Sequence, residues 1–155
     1  MRCEGVALII DTGATYDGYC WDFDRNLAFG KGSGDTRKAH ETIFRATAAG
    51  LPAATPGATT SDVWSAMWNI LEKGGALGNN VGRMGHGLGM QLTEWPSVKF
   101  GDQAVLETGV VLTLEPGMEF APGKQLVHEE NIVITEDGAK YLSQRASETL
   151  QTVDC

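Results

Sequence analysis

The sequence predicts an α+β domain in which amphipathic helices pack on one face of a mainly antiparallel sheet. Three observations carry this. Two short runs with strand character, Ala7-Leu8-Ile9-Ile10-Asp11 and Trp21-Asp22-Phe23-Asp24-Arg25, are joined through the turn-forming segment Tyr16-Asp17-Gly18. Two stretches with apolar residues at helical spacing follow, and from Gly78 onward the chain breaks into short apolar runs punctuated by glycine. With 155 residues, 42% of them apolar, and neither a low-complexity tract nor a solenoid repeat, residues 1–155 are expected to form one domain with a real core.

The first two runs are read as a hairpin. A two-residue loop centred on Tyr16-Asp17 places Asp11 directly opposite Asp22 on one face of the ladder. Like charges so placed repel, so the two carboxylates either stand in water or share a cation. The glycine-rich break Gly30-Lys31-Gly32-Ser33-Gly34 comes next. Asp35 is the expected N-cap of a helix from Thr36 to Ala49, with Ala39, Ile43, Phe44 and Ala46 on its apolar face and Gly50 as its stop. A second break, Pro52 to Gly57, precedes a helix capped by Thr60 or Ser61. Val63, Trp64, Met67, Trp68, Ile70 and Leu71 give it a broad apolar face, read as core, and it ends at Gly74-Gly75. Gly85 to Leu92, Val110 to Leu114 and Leu126 to Thr135 are read as strands of the same sheet as the hairpin. Glu136-Asp137-Gly138 is a turn, and the tail from Ser143 is polar.

Composition narrows the classes of function. Twelve basic against 20 acidic residues give a net charge of -8, which argues against sequence-independent binding to nucleic acid or to anionic lipid. Two bound divalent cations would bring that total to about -4. Cys3, Cys20 and Cys155 are an odd number without motif spacing, which fits a reducing compartment. With no signal-peptide apolar region after Met1 and no run long enough to span a membrane, a cytoplasmic location is the expectation.

Five residues stand out chemically. His86 lies in Gly85-His86-Gly87-Leu88-Gly89, where alternating glycines let backbone come close to an ion or a bulky group; the spacing is not that of a dinucleotide fingerprint. Alone, His86 reads more readily as a structural histidine. Glu115 ends the apolar run Val110 to Leu114 and is followed by Pro116-Gly117; an exposed strand end is the plain alternative. Glu129 precedes Asn131-Ile132-Val133-Ile134-Thr135 beside Glu130, and the plain alternative puts both on a solvated edge. Taken together, Asp11, Asp22, His86, Glu115 and Glu129 are four carboxylates and one imidazole, each on or beside an apolar strand. They converge only if something neutralises them. Oxygen-rich sets with one histidine suit Mn, Fe, Co or Zn, and two such ions about 3.5 to 4 Å apart bridge shared carboxylates in dinuclear hydrolases.

Over nearly its whole length the chain resembles the catalytic domain of the "pita-bread" metallopeptidases, the group containing methionine aminopeptidase, aminopeptidase P, prolidase and creatinase. The resemblance rests on Asp11 and, eleven residues on, Asp22-Phe23-Asp24-Arg25, on Gly85-His86-Gly87-Leu88-Gly89, on Leu114-Glu115-Pro116-Gly117, and on Glu129 four residues before Val133 and six before Thr135. It implies a pita-bread fold with a curved sheet and helices on its outer face. It further implies two divalent metal ions held by Asp11, Asp22, His86, Glu115 and Glu129, with Glu115 also the candidate general base for water. The implied activity is Xaa-Pro aminopeptidase or dipeptidase chemistry on a small peptide or amide substrate.

Two departures qualify that expectation. Where the family usually has a second histidine, seven residues after the first, this chain has Thr93, in Thr93-Glu94-Trp95-Pro96. Threonine donates a hydrogen bond but carries no proton load near neutral pH. Thr93, Glu94 and Trp95 are the candidate substrate-contacting residues, with Glu94 or a histidine from elsewhere able to compensate and a core position the plain alternative for Trp95. The second departure is length: the family domain has two related halves, and this chain begins on the hairpin of the first, so a fragment lacking the first helix pair is expected, with self-association, as in a homodimer, to cover the sheet. His40 is expected to be solvated, and His128, by strand alternation, to point away from the face carrying Glu129. Two alternatives accompany the peptidase reading. One is a non-peptidase enzyme of the same fold, such as a creatinase-like or ectoine-type hydrolase or a lyase of small zwitterions; the other is an inactive binding module.

Overall fold

A computed structural model describes residues 5–77 and 82–154, so the expectations for the segment before Gly5, Cys3 and Cys155 fall outside the described residues. Strands β1 (Ala7–Tyr16) and β2 (Tyr19–Phe29) form the opening hairpin. Its loop is Asp17-Gly18, with φ of 49° and 86°, not Tyr16-Asp17. A two-residue turn that follows strand twist needs positive φ at both central positions, which Asp-Gly tolerates and tyrosine does not. The register accordingly pairs Asp11 with Asp24 and Gly13 with Asp22, in place of the expected Asp11 opposite Asp22. A slip of two in the pairing sum preserves parity, so Asp11, Asp22 and Asp24 share one face of the ladder.

Helix α1 (Gly34–Ala53) is capped by Ser33, whose Oγ accepts from Thr36 N at 3.0 Å; Asp35 sits in the first turn instead, where its charge complements the helix dipole. The helix runs on through Gly50. A Cβ there would stand 3.0 Å from Met67 Sδ and 3.2 Å from Leu114 Cδ1, so this glycine marks close packing and not a stop. His40 is buried and not solvated: the chain after Tyr141 folds over it, and His40 Nε2 donates to Ser147 O at 3.1 Å. Helix α2 (Thr60–Gly74) is capped not by Thr60 or Ser61 but by Thr59, which forms a capping box with Asp62 and contributes about 1 kcal/mol. Gly75, at φ 90°, ends it.

The remaining strands are short: β3 (His86–Gly87), β4 (Glu94–Ser97), β5 (Val111–Leu114), β6 (Gly117–Ala121), β7 (Lys124–Val127), β8 (Glu130–Thr135), β9 (Gly138–Tyr141) and β10 (Gln151–Val153). They do not extend the hairpin's sheet as expected. β4-β3-β5-β8-β9 form one five-stranded antiparallel sheet and β6-β7 a separate hairpin; only β10, from the polar tail, joins β1-β2, running parallel to β2. The run Leu126 to Thr135 is split at His128-Glu129 between two sheets, a break that hydrophobicity alone does not mark.

Leu112, Leu114, Ile132 and Ile134 of β5 and β8 form a single buried core with Ile43 and Ala46 of α1 and Val63, Met67 and Leu71 of α2. This core anchors the strand ends that carry the chemistry. Among the described residues, no helix is long and apolar enough to cross a membrane.

Candidate metal centre

The backbone packs closely around β3. A Cβ on Gly85 would lie 2.0 Å from Thr113 O, and one on Gly87 2.3 Å from Trp95 O, so the glycines flanking His86 let β4 and β5 close on both sides. The irregular register between β3 and β4 falls at His86 and Gly87, the kind of irregularity that re-aims a side chain. The His86 backbone N–H donates to Thr113 Oγ1 at 3.1 Å, and its Nδ1 lies 2.9 Å from Gly87 O. A carbonyl only accepts, so Nδ1 carries a proton there and the neutral ring keeps its lone pair on Nε2.

That lone pair faces acids. His86 Nε2 is 3.8 Å from Asp22 Oδ2 and 3.9 Å from Glu115 Oε2. Asp22, His86 and Glu129 each present a ligand atom within 4.8 Å of the others, and all three are buried. The structure thus brings Asp22, His86, Glu115 and Glu129 into one cluster. Asp11 is exposed and outside the three-residue group, yet its charge acts on Asp22, Asp24, Glu115 and Glu129 from the same hairpin face. Neither glutamate of Glu129-Glu130 lies on a solvated edge.

Polar ties hold the hairpin against β8. Asn131 Nδ2 donates to Asp22 O. Arg25 Nη1 donates to both Asp24 O and Glu129 O at 2.8 Å, while Nη2 reaches Glu130 Oε2 at 3.3 Å. Strand alternation then separates the neighbours: Glu129 joins the cluster, and Glu130 turns to the other side, 3.2 Å from His128 Nε2. Burial works against the charge on Glu130, but His128, the Ala146 N–H and Arg25 outweigh it and hold its pKa below the usual carboxylate range.

Within the cluster the balance runs the other way. Burial, reinforced by Glu115, Asp22, Asp24 and Asp11, pushes Glu129 up to about 9. Burial and then Asp11, Glu115 and Asp22 push Asp24 up to about 7. Asp22 and Glu115 are also raised, chiefly by burial, with Arg83 opposing. Asp24 Oδ1 and Glu129 Oε1 are buried without a hydrogen-bond partner. Converging carboxylates with orphaned oxygens, beside an imidazole offering a lone pair, are costly alone and suit divalent cations.

The candidate substrate residues lie beyond β3. Thr93 is exposed and accepts a hydrogen bond from Arg83 Nη2 at 3.4 Å. Glu94 Oε1 accepts from Gln91 N at 2.8 Å, which turns its carboxylate back onto its own loop. Trp95 is 75% exposed and is therefore not core. Sequence reasoning quoted Asp24 and Arg25 within a motif without giving either a role, and passed over Arg83. For Asp24 the signal was present: it shares strand parity with Asp22.

A model of metallopeptidase family M24 matches residues 3–136. The Xaa-Pro dipeptidase of Pyrococcus furiosus is 32% identical over 147 residues, covering 95% of this chain and 42% of that protein. Among solved structures, a dipeptidase from Pyrococcus horikoshii superposes with a TM-score of 0.90 at 29% identity, over 97% of this chain and 42% of the other. The dipeptidase PepE of Mycobacterium ulcerans gives 0.89 at 31% identity, over 97% and 41%. The chain spans about two-fifths of the length of these relatives, and over that span its α+β architecture is theirs.

Proposed function

The chain belongs to metallopeptidase family M24, and on that premise we propose that it carries the metal centre of a hydrolase of the Xaa-Pro dipeptidase type, acting on a small peptide or amide. The observation that supports this most strongly is the meeting of Asp22, His86 and Glu129 within 4.8 Å, with Glu115 against His86 and Asp11 on the same hairpin face. Asp11, Asp22, His86, Glu115 and Glu129 would hold two divalent ions of the Mn, Fe, Co or Zn class. Such ions, when bound, lower the pKa of water towards neutrality and polarise a carbonyl.

The protein's own groups divide the remaining work. Glu115 is partly exposed, and burial raises its pKa, so its carboxylate Oε2 is placed to take a proton from water and to return it to a leaving amine. Arg83, held by Thr93, is a permanent cation close enough to act on Asp22 and Glu115, and it supplies an anchor for a substrate carboxylate. Trp95, exposed two residues after Thr93, offers an apolar surface to substrate.

Metal content and hydrolysis of Xaa-Pro dipeptides by the wild-type chain, Asp22→Asn and His86→Ala test the reading. Both variants are expected to lose metal and at least a hundredfold in turnover. Unchanged metal content or unchanged turnover in either sinks the proposal. Thr93, in place of the family's usual second histidine, favours a second reading in which the same centre acts on a non-peptide amide or a small zwitterion. A substrate panel setting proline dipeptides against betaine-like compounds and small amides decides between them.

A further inference from the structure

We propose that Asp24 is a sixth ligand of this centre, supplying a carboxylate oxygen from the position directly across the hairpin from Asp11. The inference rests on the metal-centre reading above and extends it to a residue that reading does not use.

Geometry places Asp24 on the right face. It pairs with Asp11 in the β1-β2 register and shares strand parity with Asp22, so all three aspartates project from one side of the ladder. Its side chain is buried, at 3% exposure, and Oδ1 has no hydrogen-bond partner. The adjacent guanidinium does not supply one. Arg25 Nη1 donates to the main-chain carbonyls of Asp24 and Glu129, and Nη2 goes to Glu130 and Gln144 O. Asp11, Glu115 and Asp22 instead surround Asp24 with negative charge. A sequence selected only for folding would put a threonine or valine at a buried strand position of this kind, because an unpartnered carboxylate among carboxylates is costly. A divalent cation held beside Asp24 would remove the cost.

The chemical class of cation follows from the donor set. With Asp24 the centre offers five carboxylates and one imidazole. Such an oxygen-rich set favours the harder ions, manganese or ferrous iron, over zinc, which is well served by more nitrogen and sulfur.

Equilibrium dialysis with Mn²⁺ near neutral pH, on the 155-residue chain, tests the assignment, with Asp24→Asn and the exposed-turn control Asp137→Asn alongside. Wild type and Asp137→Asn are expected to bind two ions each. Asp24→Asn is expected to bind one of them at least tenfold more weakly, while its metal-free form melts no lower than wild type. Asp24→Ser serves the same comparison should the asparagine variant fail to fold. Two ions bound by the Asp24 variants with wild-type affinity overturn the assignment and leave Asp24 a buried acid beside the metals. A wild-type chain that binds no Mn²⁺ refutes the centre itself, a failure distinct from the first.

Discussion

Freed of metal by a chelator, the protein should lose stability as pH rises through neutrality. Glu129 is raised from 4.5 to about 9 and Asp24 from 3.8 to about 7. Above about pH 5 the unfolded chain has released both protons while the native state still holds them, so stability falls with increasing pH. Other groups choose the cleanest window. His40 is lowered from 6.5, mainly by burial, so its neutral form favours folding increasingly up to that pH and works in the opposite sense below it. Glu130 is lowered from 4.5 and acts only in acid. Between about pH 6.5 and about pH 8, Glu129 contributes a loss of about 2 kcal/mol and Asp24 about 0.8 kcal/mol, each protonation difference being weighted at about 1.4 kcal/mol per pH unit. With a urea m-value of about 2 kcal/mol/M, the midpoint should fall by about 1.4 M across the window. Urea titrations in EDTA, followed by circular dichroism, read this directly. A midpoint that stays level or climbs refutes the account of the cluster as buried acids held neutral by one another. Saturating Mn²⁺ should abolish the decline, because ligand carboxylates must be ionised to bind.

Two further perturbations address how the site is held. Arg25→Met removes the tie between β2 and β8 and leaves Glu130 with one cation fewer; a loss of about 2 kcal/mol is expected, typical of hydrogen bonds to a charged group, and a urea midpoint equal to wild type would show the tie to be dispensable. Gly87→Ala drives a methyl to 2.3 Å from the main-chain Trp95 O and should cost about 3 kcal/mol with loss of Mn²⁺ binding; a variant that melts with wild type would show that β3 and β4 can part freely.

Much of the secondary structure was legible because it is written in local physics. Apolar spacing identified both helices, and glycine with proline marked most of the breaks. Their ends were less legible where tertiary contact overrode propensity: Gly50 looked like a stop and is the seam where α1 meets Met67 and Leu114. His40 looked solvated because its helix neighbours are charged, and only the returning tail buries it against Ser147 and the His128 ring. β10 is too polar to announce itself; it exists because β2 has an open edge.

For the site, the sequence by itself determined which residues have the right chemistry and, through strand parity, that Asp11 and Asp22 share a face. The G-H-G pattern around His86 and the carboxylates at strand ends were visible in the chain, and their joint meaning came from the family they resemble. Tertiary structure decided what parity cannot: that the Asp17-Gly18 turn sets Asp24 opposite Asp11, that Glu129 and Glu130 diverge into different environments, and that Arg25 is occupied with main-chain carbonyls. The physical reason is range. Helix periodicity and turn preference act over a few residues, whereas burial and the company each carboxylate keeps depend on elements a hundred residues apart, brought together by a core that no local pattern describes.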